Sequence, residues 1–350
     1  MSVQAQTPDV LALLKQKADL VETELAKYLP SPQQATTTEL KEYYQMLWAY
    51  PHLGGKRLRP AICMLSCEMF GGNPSDTLPS AVAMDLFQHW VLIHDDIEDG
   101  SELRRGKPCL HRAYGIEKAI NAGDGLHNYM WKVLLANKAL IGPTKTHKVF
   151  EEFVRQVEIT AEGQAIEIGW NMSNRWDVTE TEYLDMIERK TVHYTTSTPL
   201  RLGAMIAGAK ARDLEVLRKV GLKAGYAFQI MDDALNLYAD PDKYGKEIGG
   251  DILEGKRTMI MLHLLGKAKK EKERILEIMR KPREQKTEQE VEEVLALLRN
   301  YGSIDYAQKK ARGYAEQAIE LFNKKLTHVP GKEAHQALGA LIYYLATRDK

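Results

Sequence analysis

The chain has 350 residues, 44 % of them hydrophobic, and its 48 Lys+Arg balance 48 Asp+Glu. That length can bury one large core or two smaller ones, and the charge balance excludes a global field that would draw the protein to nucleic acid or to an anionic membrane. No run of about 18 apolar residues occurs, and the N-terminus MSVQAQTPDVLALL lacks the basic and apolar regions of a signal peptide, so the sequence reads as cytoplasmic and without a membrane span.

In chain order, Thr7-Pro8-Asp9 opens a first amphipathic helix, with a cap residue and a proline at its first position, that runs to about Tyr28. SPQQATTT at 31–38 is a linker. A second helix covers about 39–49 and stops at Pro51; Gly54-Gly55 then lead into a third, from near Arg57 to Gly71-Gly72-Asn73-Pro74. Cys63 and Cys67 on that helix, with Cys109, are too few and too unevenly placed for a disulfide framework and read as free buried thiols. Pro79 starts a fourth helix, AVAMDLFQHWVLIHDDIED, apolar over most of its length.

That fourth helix ends in DDIED. Asp95 and Asp99 lie four apart, so their side chains stack on one face with Asp96 alongside. Stacked carboxylates repel unless cations join them, and oxygen-only donors at a helix end suit a hard divalent ion; Mg²⁺ prefers one or two carboxylates plus water and substrate phosphates. His94 next to the cluster reads as a core or hydrogen-bonding residue. The basic residues Arg104, Arg105 and Lys107 follow at once.

Beyond Gly106, helical patterns cover about 116–138, 145–170, 179–208, 211–239, 257–280, 286–300, 303–325 and 331–348, separated by breakers such as Gly142-Pro143, Pro241 and Gly249-Gly250. No alternating strand and no fixed-period repeat is visible, so the expectation is an all-α fold in one domain spanning 1–350. An acidic helix end alone is usually a solvated face, but Asp232-Asp233-Ala234-Leu235-Asn236 repeats the pattern after a second apolar run. Two inward acidic faces on separate helices can build one metal site. Basic residues cluster three times, at Lys56, Arg57 and Arg59, at Arg104, Arg105 and Lys107, and at Lys246 and Lys256. Arginine forks match phosphate geometry, and three such patches are more than one phosphate monoester needs. They point to two polyphosphate groups, and the apolar helices before each acidic cluster to a hydrocarbon tail.

The ordered motifs GGKRLRP (54–60), LIHDDIEDGSELRRGKP (92–108), GQAIEI (163–168), KT (190–191), FQIMDD (228–233) and YGKEIGGDILEGKRT (244–258) resemble those of the trans-prenyltransferases, or polyprenyl diphosphate synthases, over about 50–260. The resemblance implies a helical bundle around a deep central cavity, usually as a homodimer, with three Mg²⁺ ions between facing aspartate-rich motifs. It implies that Gly55, Lys56, Arg59, Gln88 and Arg105 hold isopentenyl diphosphate. Arg104, Lys190, Lys246 and Lys256 then hold an allylic diphosphate (dimethylallyl, geranyl or farnesyl), with Asp95, Asp99 and Asp232 as metal ligands, Asp96 and Asp233 beside them, and Thr191 and Gln229 near the carbon that becomes cationic. Two departures stand out: Gln88 where many members carry histidine, and Asn236 where most carry aspartate.

The resemblance also implies a product ruler along the fourth helix, with Phe87, Trp90 and Val91 one to two turns before Asp95 and a pitch of about 5.4 Å per turn, close to one isoprene unit. An aromatic residue at Trp90 with valine at 91 implies geranylgeranyl diphosphate, with farnesyl diphosphate as the alternative. A terpene cyclase needs no second diphosphate site such as GGKRLRP, and a non-catalytic synthase subunit generally loses the acids that Asp95, Asp96 and Asp99 retain.

Overall fold

The computed structural model describes residues 9–238 and 249–348. Helices account for about 80 % of it, as the periodicity requires. The elements are α1 (Val10–Leu25), α2 (Thr38–His52), α3 (Leu58–Met69), α4 (Leu78–Glu98), a hairpin of β1 (Leu103–Arg104) and β2 (Lys107–Pro108), α5 (Leu110–Tyr114), α6 (Ile116–Leu135), α7 (Asn137–Met172), α8 (Glu180–Ile187), a π-helical segment (Glu188–Ser197), α9 (Thr198–Ile206), α10 (Ala211–Tyr238), α11 (Gly250–Leu253), α12 (Met259–Lys267), α13 (Lys272–Arg280), α14 (Glu288–Asn300), α15 (Ser303–Lys325) and α16 (Lys332–Thr347). No described helix is long and apolar enough to cross a membrane.

The helices pack as a bundle with one large apolar cluster around α2, α4, α6 and α7, a second around α8, α10 and α12–α14, and a third where α3, α9 and α10 meet α15 and α16. The α4 helix is buried on nearly every side, which is why its sequence is apolar all round rather than striped. Cys63, Cys67 and Cys109 are free and buried.

Several elements differ from the sequence expectation, each for a local reason. Asp9 is the N-cap of α1, its carboxylate accepting from the amides of Leu11 and Ala12; Thr7 and Pro8 lie outside the described residues, and the helix ends at Leu25 rather than near Tyr28. Pro51 is inside the last turn of α2, where it forgoes one backbone hydrogen bond and is followed by a single further helical residue, His52. Gly142 (φ 75°, ψ 168°) is non-helical and interrupts α7 into two helices, where the breaker Gly142-Pro143 places a stop. The pattern at 257–280 breaks between Lys267 and Lys272, where KAKKEK offers little but Ala268 to bury.

The 179–208 pattern is three elements, because a π-helical stretch widens the turns from Glu188 to Ser197. Thr196 Oγ1 turns back onto the carbonyl of Val192 and bridges to that of Gly221 on α10. Glycines bring the neighbours in close: a Cβ on Gly163 of α7 would lie 2.2 Å from the Lys190 amide nitrogen, and one on Gly221 would lie 2.4 Å from Ser197 Cα. Among the described residues extended structure is confined to the hairpin, whose two-residue strands are too short to show period-two alternation; its turn, Arg105-Gly106, has φ of 52° and 74°, the left-handed pair of a tight primed turn.

Candidate active site

The C-terminal ends of α4 and α10 line one cavity of about 450 Å³ together with α7, α8 and the π-helical segment. The two acidic faces therefore do meet. Asp95, Glu98, Asp232, Asp233, Asn236 and Asp251 all line it, with Arg59, Arg104, Arg105, Lys190, Lys256 and Arg257 as the arginine and lysine side chains.

At the α4 side, oxygens of Asp95, Asp99 and Glu167 lie within 4.8 Å of one another. Glu167 comes from GQAIEI on α7, a motif whose own acid the sequence reading left without a role. Two lysines pair with the group: Lys190 Nζ is 2.8 Å from Asp95 Oδ1 and also contacts Glu167, while Lys256 Nζ is 2.8 Å from Asp99 Oδ2 and 2.9 Å from Glu254 Oε2. Burial works against ionising Asp95, but Lys190 and Lys256 overcome it and hold its carboxyl well below the usual range. Asp99 goes the other way; burial, with Asp95 and Glu254 adding repulsion, pushes it up to about 7. Three oxygen donors within one short span suit a hard divalent cation.

Asp96 does not line the cavity. It is fully buried, bridged by Arg104 Nε at 3.1 Å and by Arg104 Nη2, and it accepts from Tyr50 Oη at 2.5 Å. The middle aspartate thus holds Arg104, and Arg104 lines the cavity. Burial would weaken the Arg104 charge, yet Asp96 raises its affinity for the proton well above the ordinary arginine value.

On α10, Asp232 pairs with Arg348 at 3.2 Å. Asp233 accepts from Tyr183 Oη at 2.6 Å and from Gln229 Nε2 at 2.8 Å, and burial lifts it to about 7. Gln229, whose Nε2 makes that bond, also lines the cavity. Thr191 lines the same wall from the π-helical segment. Asn236 is buried, its Oδ1 accepting from the Asp251 amide at 2.9 Å, so it tethers the start of α11 to α10. Lys246 lies outside the described residues.

The second basic patch forms around Gly54-Gly55. Arg105 Nη1 donates to the Gly54 carbonyl, and a Cβ on Gly55 would lie 2.9 Å from both Arg105 terminal nitrogens. Burial, then the neighbouring Arg57 and Arg104, push Arg105 down to about 10. Arg59 is buried, donating to Thr195 Oγ1 at 2.8 Å and lying 4.5 Å from the Tyr194 ring centre. Gln88 lines the cavity beside them, whereas Gly55 and Lys56 lie outside its wall, Lys56 Nζ being 2.6 Å from Tyr344 Oη.

The apolar end is aromatic. Phe87, Trp90, Val91 and Tyr194 line it. Trp90 meets Phe87 edge-on at 5.4 Å and stacks on His127 of α6 at 4.1 Å, and His127 in turn accepts from Trp131 Nε1 at 2.9 Å. The brace from α6 carries no motif and was not legible in the sequence.

A family model described as polyprenyl synthetase matches residues 40–298. The chain is 37 % identical to a geranylgeranyl diphosphate synthase of Sulfolobus acidocaldarius over 283 residues, 80 % of this chain and 84 % of that protein. It is 34 % identical to a geranylfarnesyl diphosphate synthase of Natronomonas pharaonis over 313 residues, 85 % of this chain and 87 % of that one. Its fold is similar to the crystal structure of a geranylgeranyl pyrophosphate synthetase from Pyrococcus horikoshii, with a TM-score of 0.84, 34 % identity and coverage of 97 % and 98 %.

Proposed function

The chain belongs to the polyprenyl synthetase family, and on that premise we propose that it is a short-chain trans-prenyltransferase. It would join isopentenyl diphosphate to an allylic diphosphate and release geranylgeranyl diphosphate. The observation that carries this is a single cavity holding a carboxylate–lysine cluster, a separate arginine patch and an aromatic apolar end. A terpene cyclase has no use for the arginine patch.

In this reading Asp95, Asp99 and Glu167 would hold divalent metal on the α4 side and Asp232 on the α10 side, with Mg²⁺ as the ion. Bound metal supplies electrostatic stabilisation of the diphosphate leaving group. The chain's own residues do the rest. Lys190, Lys256 and Arg104 carry fixed positive charge to the allylic diphosphate oxygens as its carbon–oxygen bond ionises. Thr191 and the Gln229 carbonyl face the resulting allylic cation without attacking it. Lys56, Arg59, Gln88 and Arg105 present isopentenyl diphosphate so that its double bond attacks that cation, and the departing diphosphate takes the proton lost on re-forming an alkene. The apolar walls keep out the water that would quench the cation.

Trp90 is the floor that stops elongation, and farnesyl diphosphate is the second reading because tryptophan is the largest plug. A homodimer in the cytoplasm is part of the proposal, supported by the exposed Leu135, Leu140 and Val154 on α6 and α7 and by the free thiols. The test is to incubate the purified chain with labelled isopentenyl diphosphate, each allylic primer and Mg²⁺ and to read product length by chromatography. A geranylgeranyl product is expected; absence of any chain extension would overturn the reading.

A further inference from the structure

We propose that Arg57 is a positioning residue for the isopentenyl diphosphate patch, acting through a buried network with Asp85 and His89 of α4. This rests on the reading above that Lys56, Arg59 and Arg105 receive that substrate.

Arg57 lies at the centre of GGKRLRP, yet its guanidinium is buried and does not line the cavity. Nη1 donates to Asp85 Oδ2 at 2.6 Å and to His89 Nε2 at 2.6 Å, and Nη2 donates to the Pro51 carbonyl at 2.8 Å and to Glu22 Oε1 at 3.4 Å. One side chain therefore ties the 54–57 loop to α1, to the end of α2 and to two successive turns of α4. A guanidinium can only donate, so His89 Nε2 accepts and its ring is neutral with the proton on Nδ1.

The backbone supplies an independent sign. Among the described residues three non-glycine residues have left-handed φ, and two of them are Arg57 (44°) and Arg105 (52°). That conformation is unfavourable for any residue with a Cβ and persists only where the surroundings impose it. The loop that Arg57 holds is also the seat of Arg105, through the Gly54 carbonyl and the flat face of Gly55. Stability alone does not account for the network, because Arg57 Nε, Asp85 Oδ1 and His89 Nδ1 are buried without a protein hydrogen bond, which a purely structural cluster would avoid. Asp85 supplies the negative charge that lets three guanidiniums share this corner, and Arg57 converts it into a fixed loop shape.

The test measures both Michaelis constants, kcat and melting temperature for Arg57→Gly, which keeps the left-handed backbone and loses the anchor, and for Asp85→Asn, which keeps the volume and loses the charge. Both are expected to raise KM for isopentenyl diphosphate about tenfold, with KM for the allylic primer and kcat at saturation within about twofold of wild type. Arg57→Lys should fall between, since it restores charge without the fork. Equal rises in both KM values, or no rise in either variant, would overturn the assignment; if Arg57→Gly does not melt cooperatively, Asp85→Asn decides alone. Wild-type turnover that does not depend on isopentenyl diphosphate would instead overturn the functional reading, and the assignment with it.

Discussion

Asp95 and Asp99 share one lysine-paired cluster, whereas Asp96, between them in sequence, turns away from it once folded. Among the described residues Asp96 is the carboxylate in direct contact with the buried Arg104 fork, so Asp96→Asn strips a buried guanidinium of its ion-pair partner and is expected to cost about 3–5 kcal/mol of stability. Asp95→Asn, in a site with two lysines and two further acids, should leave the fold intact and remove turnover. Thermal melts and assays on the two variants check this, and equal stability loss would count against it. Glu167 stands in the same carboxylate cluster as Asp95 and Asp99. Glu167→Gln should raise the Mg²⁺ concentration for half-maximal turnover by about tenfold or more, the scale on which even partners of metal ligands act, and should shrink the Mg²⁺-induced rise in melting temperature by a parallel amount.

Elements set where these residues stand. The π-helical segment brings Lys190 and Thr191 to the cavity because α7 can approach it at Gly163. Gly163→Ala would push a methyl group into the Lys190 backbone; the expected cost is about 1–3 kcal/mol, with a fall in kcat that a chemical melt and a saturation assay can separate. The α4 helix is the other positioning element. One turn of it rises about 5.4 Å, close to one isoprene unit, and Trp90 is pinned there by His127. Trp90→Ala is expected to lengthen the product by at least one unit while KM for the short primer changes little; an unchanged product profile would remove Trp90 from the ruler.

At the scale of the whole molecule the acidic cluster links catalysis to stability. The folded Asp99 has its carboxyl raised to about 7 by burial and by Asp95 and Glu254, against about 3.9 in an unfolded chain. Its contribution to stability is therefore complete below about pH 4 and lost as pH rises through about 7. Without added metal, Asp99→Asn should gain stability relative to wild type between pH 5 and pH 8, while added Mg²⁺ should stabilise wild type increasingly over the same interval and the variant little. Melting curves with and without chelator test both signs. The chain by itself determined the helical class, the caps and the order of its charged motifs, since these depend on neighbours a few residues apart: Asp95 stacks on Asp99, and Thr179 caps α8, wherever those helices go. Tertiary packing decided that Glu167 joins Asp95, that Asp96 turns inward to Arg104, that Lys190 reaches Asp95 across 95 positions and that Lys256 reaches Asp99 across 157. Helical periodicity states which residues share a face, but which face is buried, and against what, follows from the partner helices that exclude water from it.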